Sequence, residues 1–254
     1  MAGIYIHVPF CKTRCIYCDC YTRTDLSKKS PYVAALCKEI ELATDYLDGE
    51  AINTIYFGGG TPSQLTIEDL KLILNTISDR FTINENPEIT LEANPDDLNE
   101  EYLSSLLAIG FNRLSMGVQS FNDEHLKSLN RRHSSQKAID AVRMSQQAGF
   151  KNISIDLIYG LPQQTMSDWT ESLDKAISLD IQHISSYHLI YEEGTKLFKL
   201  LNSGRVNPVD EDTSLDMFSL MIDKLSEAGF IHYEISNFAK DGYFSRHNSS
   251  YWLD

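Results

Sequence analysis

Cys11, Cys15 and Cys18 stand in the string CKTRCIYC, three thiols on one short stretch of chain. Three thiolates on a single loop can hold three corners of a cubane iron–sulfur cluster and leave its fourth iron open to another ligand. Cys20 follows Cys18 by two positions, so one tetrahedral zinc ion held by four sulfurs is the alternative. Zinc ligands more often arrive as two separated pairs than as one knot. Cys37, the fifth cysteine, falls on the apolar face of a predicted helix, where a free thiol serves as core packing.

A second group of residues could contact a ligand. Gly58, Gly59, Gly60, Thr61 and Pro62 form a GGGTP turn after an apolar run. Missing side chains there allow close approach to the backbone; the competing reading is a sharp strand-to-helix connection. Glu92, Gln119, Asp156 and His188 lie at or just after the ends of later runs, and Arg131 stands in NRRH. Glu92 and Asp156 can accept hydrogen bonds from ammonium or ribose hydroxyls, Gln119 can bond ribose or amide edges, and Arg131 can meet a carboxylate. Each alone could equally be a structural polar group with its bonds satisfied.

The elements that must position these residues are legible as alternation. Apolar, β-branched runs occur at Ile4–Val8, Thr54–Phe57, Glu88–Ala93, Arg113–Val118, Ile153–Ile158 and Ile184–Ile190, with helical patterns between them. That order predicts an α/β fold with a parallel sheet. Val33, Leu36, Cys37 and Ile40 lie on one helical face, as do Leu70, Ile73, Leu74 and Ile77; Thr66 with Asp69 offers the second helix a capping box. Met217, Phe218, Met221, Ile222 and Leu225 form a later stripe, followed by a short apolar run at Ile231–Ile235. Barrels and doubly wound sheets both carry ligands at the carboxyl ends of their strands, so this pattern alone does not separate them.

The 254 residues suffice for one main domain. No apolar run approaches the roughly 18 residues of a membrane span, and the start lacks the features of a signal peptide. Crowded cysteines fit a reducing compartment better than a disulfide framework, so a cytoplasmic protein is expected. The net charge of -14 argues against a nucleic-acid partner, whose binding rests on lysine and arginine.

The C-x-x-x-C-x-x-C loop directly after a first strand resembles the signature of the radical S-adenosylmethionine (SAM) superfamily. The resemblance implies a partial (β/α)6 TIM-like barrel over residues 1–190 and a helical and β extension over 191–254. It also implies a 4Fe-4S cluster on Cys11, Cys15 and Cys18, SAM chelated at the open iron, and a low-potential electron donor whose electron cleaves the sulfonium to a 5'-deoxyadenosyl radical. Tyr17 matches an aromatic position against the adenine, and Gly59, Gly60 and Thr61 the segment that meets the methionyl amino group. Tyr5 in YIHVPFC, Glu92 in ITLEANP, Gln119 in GVQSF, Arg131 in NRRH and Asp156 in IDLIYGLP match the remaining cofactor contacts.

Within that superfamily YIHVPFC, GGGTPS, GVQSF, IDLIYGLP and HNSSYW are similar to the HemN/HemW family of oxygen-independent coproporphyrinogen dehydrogenases and heme chaperones. Cys20 matches the dehydrogenase form of the loop. The short segment before Tyr5 and the HNSSYW string match the chaperones instead. In that reading His247 is an axial heme ligand, Tyr251 and Trp252 cover the porphyrin, and heme passes to an acceptor protein. Alternatively, the aromatics of this loop dock against the barrel and His247 is merely hydrogen-bonded. The chain stops at Asp254, where the family's members continue into a smaller C-terminal domain, so a fragment is expected.

Overall fold

The computed structural model describes residues 2–252; Met1, Leu253 and Asp254, and with them the expectation read from the end of the chain, lie outside the described residues. The chain runs β1 (Ala2–Val8), α1 (Lys29–Leu42), β2 (Ile52–Gly59), α2 (Ile67–Arg80), β3 (Ile83–Ala93), α3 (Glu100–Ala108) and β4 (Arg113–Gln119). Helices α4 (Asp123–Ser128) and α5 (Ser135–Ala148), β5 (Ile153–Tyr159), α6 (Met166–Ser178) and β6 (His183–His188) complete six βα units. There follow α7 (Lys196–Asn202), α8 (Glu211–Glu227), β7 (Ile231–Glu234), β8 (Asn237–Ala239) and α9 (Arg246–Ser250).

The sheet order is β1-β2-β3-β4-β5-β6-β8-β7. The first six strands are parallel and sequential, with no reversal of order of the kind that defines a doubly wound sheet. Residues from β2 through β6 line one cavity, so the sheet curls into an open half-barrel. The apolar run at Ile231–Ile235 becomes β7, which joins the same sheet through β8, antiparallel to β6. The sixth strand ends at His188, two residues short of the expected Ile190. Leu189 turns its N–H to Tyr159 O at 2.9 Å, and Ile190 is left exposed.

Strand residues alternate between two destinations. Ile55, Phe57, Ile89, Leu91, Leu114, Met116, Ile155 and Leu157 are buried in the core cluster with Leu70, Ile73, Leu103, Leu106, Val142, Leu173 and Met217 of the surrounding helices. Trp169 of α6 is fully buried there and donates its indole N–H to Met217 O of α8 at 2.9 Å. The opposite face is polar: Tyr56 bonds Glu92, Ser115 bonds Asp156 and Ser154 bonds His183; Arg113 and Ser185 lie near these carboxylates, and Thr54 and Glu88 hold the His247 segment. Helix starts are set locally. Thr66 and Asp69 form the capping box of α2 and Thr165 and Asp168 that of α6, each cap worth about 1 kcal/mol.

The short α9 plugs the lower opening of this interior. The Glu88 carboxylate accepts the backbone N–H groups of Arg246 at 3.1 Å and His247 at 3.0 Å. These are first-turn donors with no partner inside the helix.

Candidate cofactor site

The loop after β1 is fixed at both ends by backbone bonds. Cys11 N donates to Arg23 O at 3.0 Å, Ile16 N to Leu129 O at 3.2 Å, and Leu197 N to Ile16 O at 2.9 Å. Cys11, Cys15 and Cys18 thereby line one cavity of about 300 Å³, shared with Tyr17, Gly59, Gly60, Thr61, Glu92, Gln119, Arg131 and Asp156. Thr61 Oγ1 donates to Cys11 Sγ at 3.3 Å, and Arg131 Nη1 to Cys15 Sγ at 3.3 Å. Burial pushes the Cys11 thiol above its ordinary range. Cys18 is likewise raised, chiefly by a hydrogen bond with Cys20, whose thiol is pulled down to about 7 by the same bond. Metal binding releases the protons that these thiols carry.

Among the described residues no three His, Cys, Asp or Glu side chains converge tightly enough to hold one ion. A single zinc held by Cys20 and the other three thiols would need such a convergence. A cubane needs no such convergence, because each of its irons takes a separate thiolate.

The glycine turn packs hard against the first strand. A Cβ on Gly60 would stand 2.8 Å from Val8 O and 3.0 Å from Phe10 N, and one on Gly59, at φ +104°, would meet the His7 ring. Gly59 N donates to Glu92 Oε2 at 3.1 Å while Tyr56 OH donates to Glu92 Oε1 at 2.8 Å. Burial, with Asp156 nearby, still raises the Glu92 carboxyl to about 7; burial raises Asp156 to about 6. Gln119 adopts φ +68° at a register shift between β4 and β5, a left-handed conformation uncommon for non-glycine residues. Asn130, at φ +61°, leads into Arg131, whose Nη2 donates to Gly117 O and Asn94 Oδ1. Arg131 Nε is buried with no hydrogen-bond partner among the described residues.

These features fit a cluster with SAM bound to it. Three thiols surround the space, two carboxylates face it for a cationic ligand, and a guanidinium with an unused donor faces it for an anionic one.

Two expected positions lie elsewhere. Tyr5 is half-exposed outside the cavity lining, its ring stacked on Tyr56 at 6.0 Å and its hydroxyl 3.3 Å from His7 Nδ1. His188 lies against Ser214 at 3.3 Å instead of the cavity. Other lining residues escaped sequence reasoning: Lys12, Asn94, Arg132 and Tyr187. The ANPDD string, placed directly after β3, was the available signal for Asn94 and its neighbours.

His247 is nearly buried, four residues below the cofactor level on both β2 and β3, a drop of roughly 13 Å. Its Nδ1 is bonded to Thr54 Oγ1 at 2.8 Å, its Nε2 lies 3.3 Å from Tyr251 OH, and its ring stacks on Tyr56 at 5.0 Å. Tyr251 and Trp252 are exposed. The segment thus docks against the barrel with both imidazole nitrogens engaged.

A half-barrel of βα units with a three-cysteine loop and glycine turn at the carboxyl edge of its strands defines a radical SAM protein, and the comparisons carry this further. Residues 5–176 match the radical SAM superfamily. The chain is 39% identical to the heme chaperone HemW of Mycobacterium tuberculosis (strain ATCC 25618 / H37Rv), over 98% of this chain and 65% of that protein. It is 38% identical to HemW of Bacillus subtilis (strain 168), over 99% and 67%. The solved structure of coproporphyrinogen III oxidase (HemN) from Escherichia coli superposes with a TM-score of 0.84 at 28% identity, covering 94% of this chain and 55% of that one. The chain belongs to the radical SAM superfamily and, within it, to the HemN/HemW family. It spans about two thirds of the length of the curated relatives it matches, and among the described residues no helix is long and apolar enough to cross a membrane.

Proposed function

We propose that this chain is the radical SAM portion of a heme chaperone: it holds a 4Fe-4S cluster on Cys11, Cys15 and Cys18, binds SAM beside it, and takes up heme for delivery to an acceptor protein. The observation that carries the reading is the single cavity onto which the three cysteines, the glycine turn, Glu92, Gln119, Arg131 and Asp156 all open. When bound, the cluster supplies one electron from a low-potential donor for reductive cleavage of the sulfonium.

The chain's own residues do the positioning. Gly59 and Gly60 admit the methionyl group to the backbone, Glu92 accepts from its ammonium and Arg131 meets its carboxylate. Gln119 and Asp156 hold the ribose and Tyr17 flanks the adenine. Tyr5 acts indirectly, by packing on Tyr56, the donor to Glu92.

For heme, His247 is the proposed axial ligand. Burial holds its pKa below the usual histidine range, leaving the neutral imidazole that ligates iron. Ligation requires Nε2 to leave Tyr251 and α9 to tilt from its seat, after which the exposed Tyr251 and Trp252 can cover the macrocycle. The curated relatives favour the chaperone over coproporphyrinogen oxidation.

The test is anaerobic reconstitution followed by two titrations. SAM should change the spectrum of the reduced cluster, and heme should develop a Soret band of a histidine-ligated species. Failure to build a cluster would end the radical SAM reading; a cluster without heme uptake would end the chaperone reading alone.

A further inference from the structure

The loop that follows β3 carries a carboxylate outside the cavity lining that nonetheless holds together the segments forming that cavity. Asp97 closes a 3-10 turn, Pro95–Asp97, and its side chain is only 2% exposed. Its two oxygens accept from Lys12 Nζ at 2.7 Å, Ser63 Oγ at 3.0 Å, Gln64 Nε2, and Arg132 Nη2 at 3.2 Å. The donors come from three separate segments. Lys12 neighbours Cys11 in the cysteine loop, Ser63 and Gln64 follow the glycine turn, and Arg132 follows Arg131 in the stretch between α4 and α5.

The rest of the ANPDD string binds the same segments. Asn94 Oδ1 accepts from Arg131 Nη2, Asn94 N donates to Ser63 Oγ at 3.2 Å, and Asp96 Oδ2 pairs with Arg132 Nη1 at 2.9 Å. Arg131 Nη1 in turn donates to Cys15 Sγ. Four residues of chain therefore reach toward two of the three cysteines: Cys11 through its neighbour Lys12, and Cys15 through Arg131.

We propose that Asp97 is a positioning residue that locks the cysteine loop, the glycine turn and the Arg131 loop at the spacing cluster and SAM require. The proposal rests on the cofactor reading above. Lys12, Arg132 and Arg131 all line the cavity mouth, and a buried carboxylate between two of these cations is what holds them close. Without its charge Lys12 loses its carboxylate partner and Arg132 keeps only Asp96, so the cysteine loop is no longer tied to the Arg131 loop. The loss falls on the cavity walls, because Lys12, Ser63, Gln64 and Arg132 belong to the segments that carry the cysteines, the glycine turn and Arg131.

The test uses the full reconstituted chain with Asp97→Asn, which keeps shape but not charge, and Asp97→Glu, which keeps charge. Expected for Asp97→Asn are a cluster lost to the iron chelator bathophenanthroline at least about tenfold faster than in wild type, and a weakened or absent SAM-induced change in the electron paramagnetic resonance signal. Asp97→Glu should recover part of both. Lys12→Gln removes one arm without stranding a buried charge and should accelerate chelation in a chain that folds normally by circular dichroism. Chelation and resonance equal to wild type in Asp97→Asn, or in Lys12→Gln should Asp97→Asn fail to fold, overturn the proposal. Failure of the wild-type chain to build a cluster would instead overturn the reading on which it rests.

Discussion

Tyr56 donates its phenolic hydrogen to Glu92 at 2.8 Å, and the opposite oxygen of that carboxylate takes the Gly59 N–H. Two hydrogen bonds to the ionised form would normally lower a carboxyl pKa. Here burial first, and the charge of Asp156 second, outweigh them and leave Glu92 at about 7.

The affinity for SAM should therefore rise with pH. Below about 7 the Glu92 carboxyl keeps its proton and cannot pair with an ammonium; above it the carboxylate is available, and Asp156, at about 6, is already ionised. Calorimetric titrations across that interval should show tightening binding that levels off in the alkaline limb. Glu92→Gln should weaken binding and flatten the profile. Tyr56→Phe, which removes a pKa-lowering bond, should move it upward by about one unit. A profile in Glu92→Gln as steep as in wild type would count against this carboxyl.

The same proton bears on stability. Because the folded pKa lies above the ordinary carboxyl value of 4.5, Glu92 stabilises the cofactor-free fold at acid pH. That contribution is lost as pH rises from 4.5 toward about 7. The thermal midpoint of the cofactor-free chain should fall less over this interval in Glu92→Gln.

Cys11→Ser, Cys15→Ser and Cys18→Ser should each abolish stable cluster assembly. Cys20→Ser and Cys37→Ser should retain about four irons per chain by colorimetric assay. Equal iron loss in Cys20→Ser would return the fourth cysteine to the ligand set.

Gly60→Ala places a methyl group against the backbone of Val8 and Phe10, atoms that cannot swing aside as a side-chain tip can. A destabilisation of about 1–3 kcal/mol is expected by chemical denaturation, together with loss of SAM binding. Neutral behaviour would mean the turn is more pliable than its packing indicates.

Tyr251→Phe frees His247 Nε2 from the Tyr251 hydroxyl and should leave heme uptake intact or several-fold tighter by Soret titration. His247→Ala should eliminate the histidine-ligated band. Persistence of that band would place the ligand on another residue.

Much of this architecture was readable in advance, because a parallel half-barrel writes itself as short apolar runs separated by helical stripes. The cysteine loop, glycine turn, Glu92, Gln119, Arg131 and Asp156 carried their motifs with them, and each opens on the cavity. Other features depend on long-range geometry that periodicity does not encode. Tyr5 sits on the same face of β1 as His7, yet its ring leans on Tyr56 and stays outside the cavity. Asp97 carries no motif of its own; its role depends on Lys12 and Arg132 converging on it from distant segments. The seating of His247 depended on Glu88 and Thr54, roughly 160 and 190 positions earlier in the chain, meeting α9 at the barrel floor.

The left-handed backbone at Gln119 restricts that position before any ligand does. Asparagine, aspartate, histidine and above all glycine tolerate such dihedrals, whereas a β-branched side chain does not. Redesign of the pocket here is confined to residues without a branched Cβ. Glycine, the easiest member, would relax the chain while deleting the amide, so the most durable variant at this point is also the one with the least to offer a nucleoside.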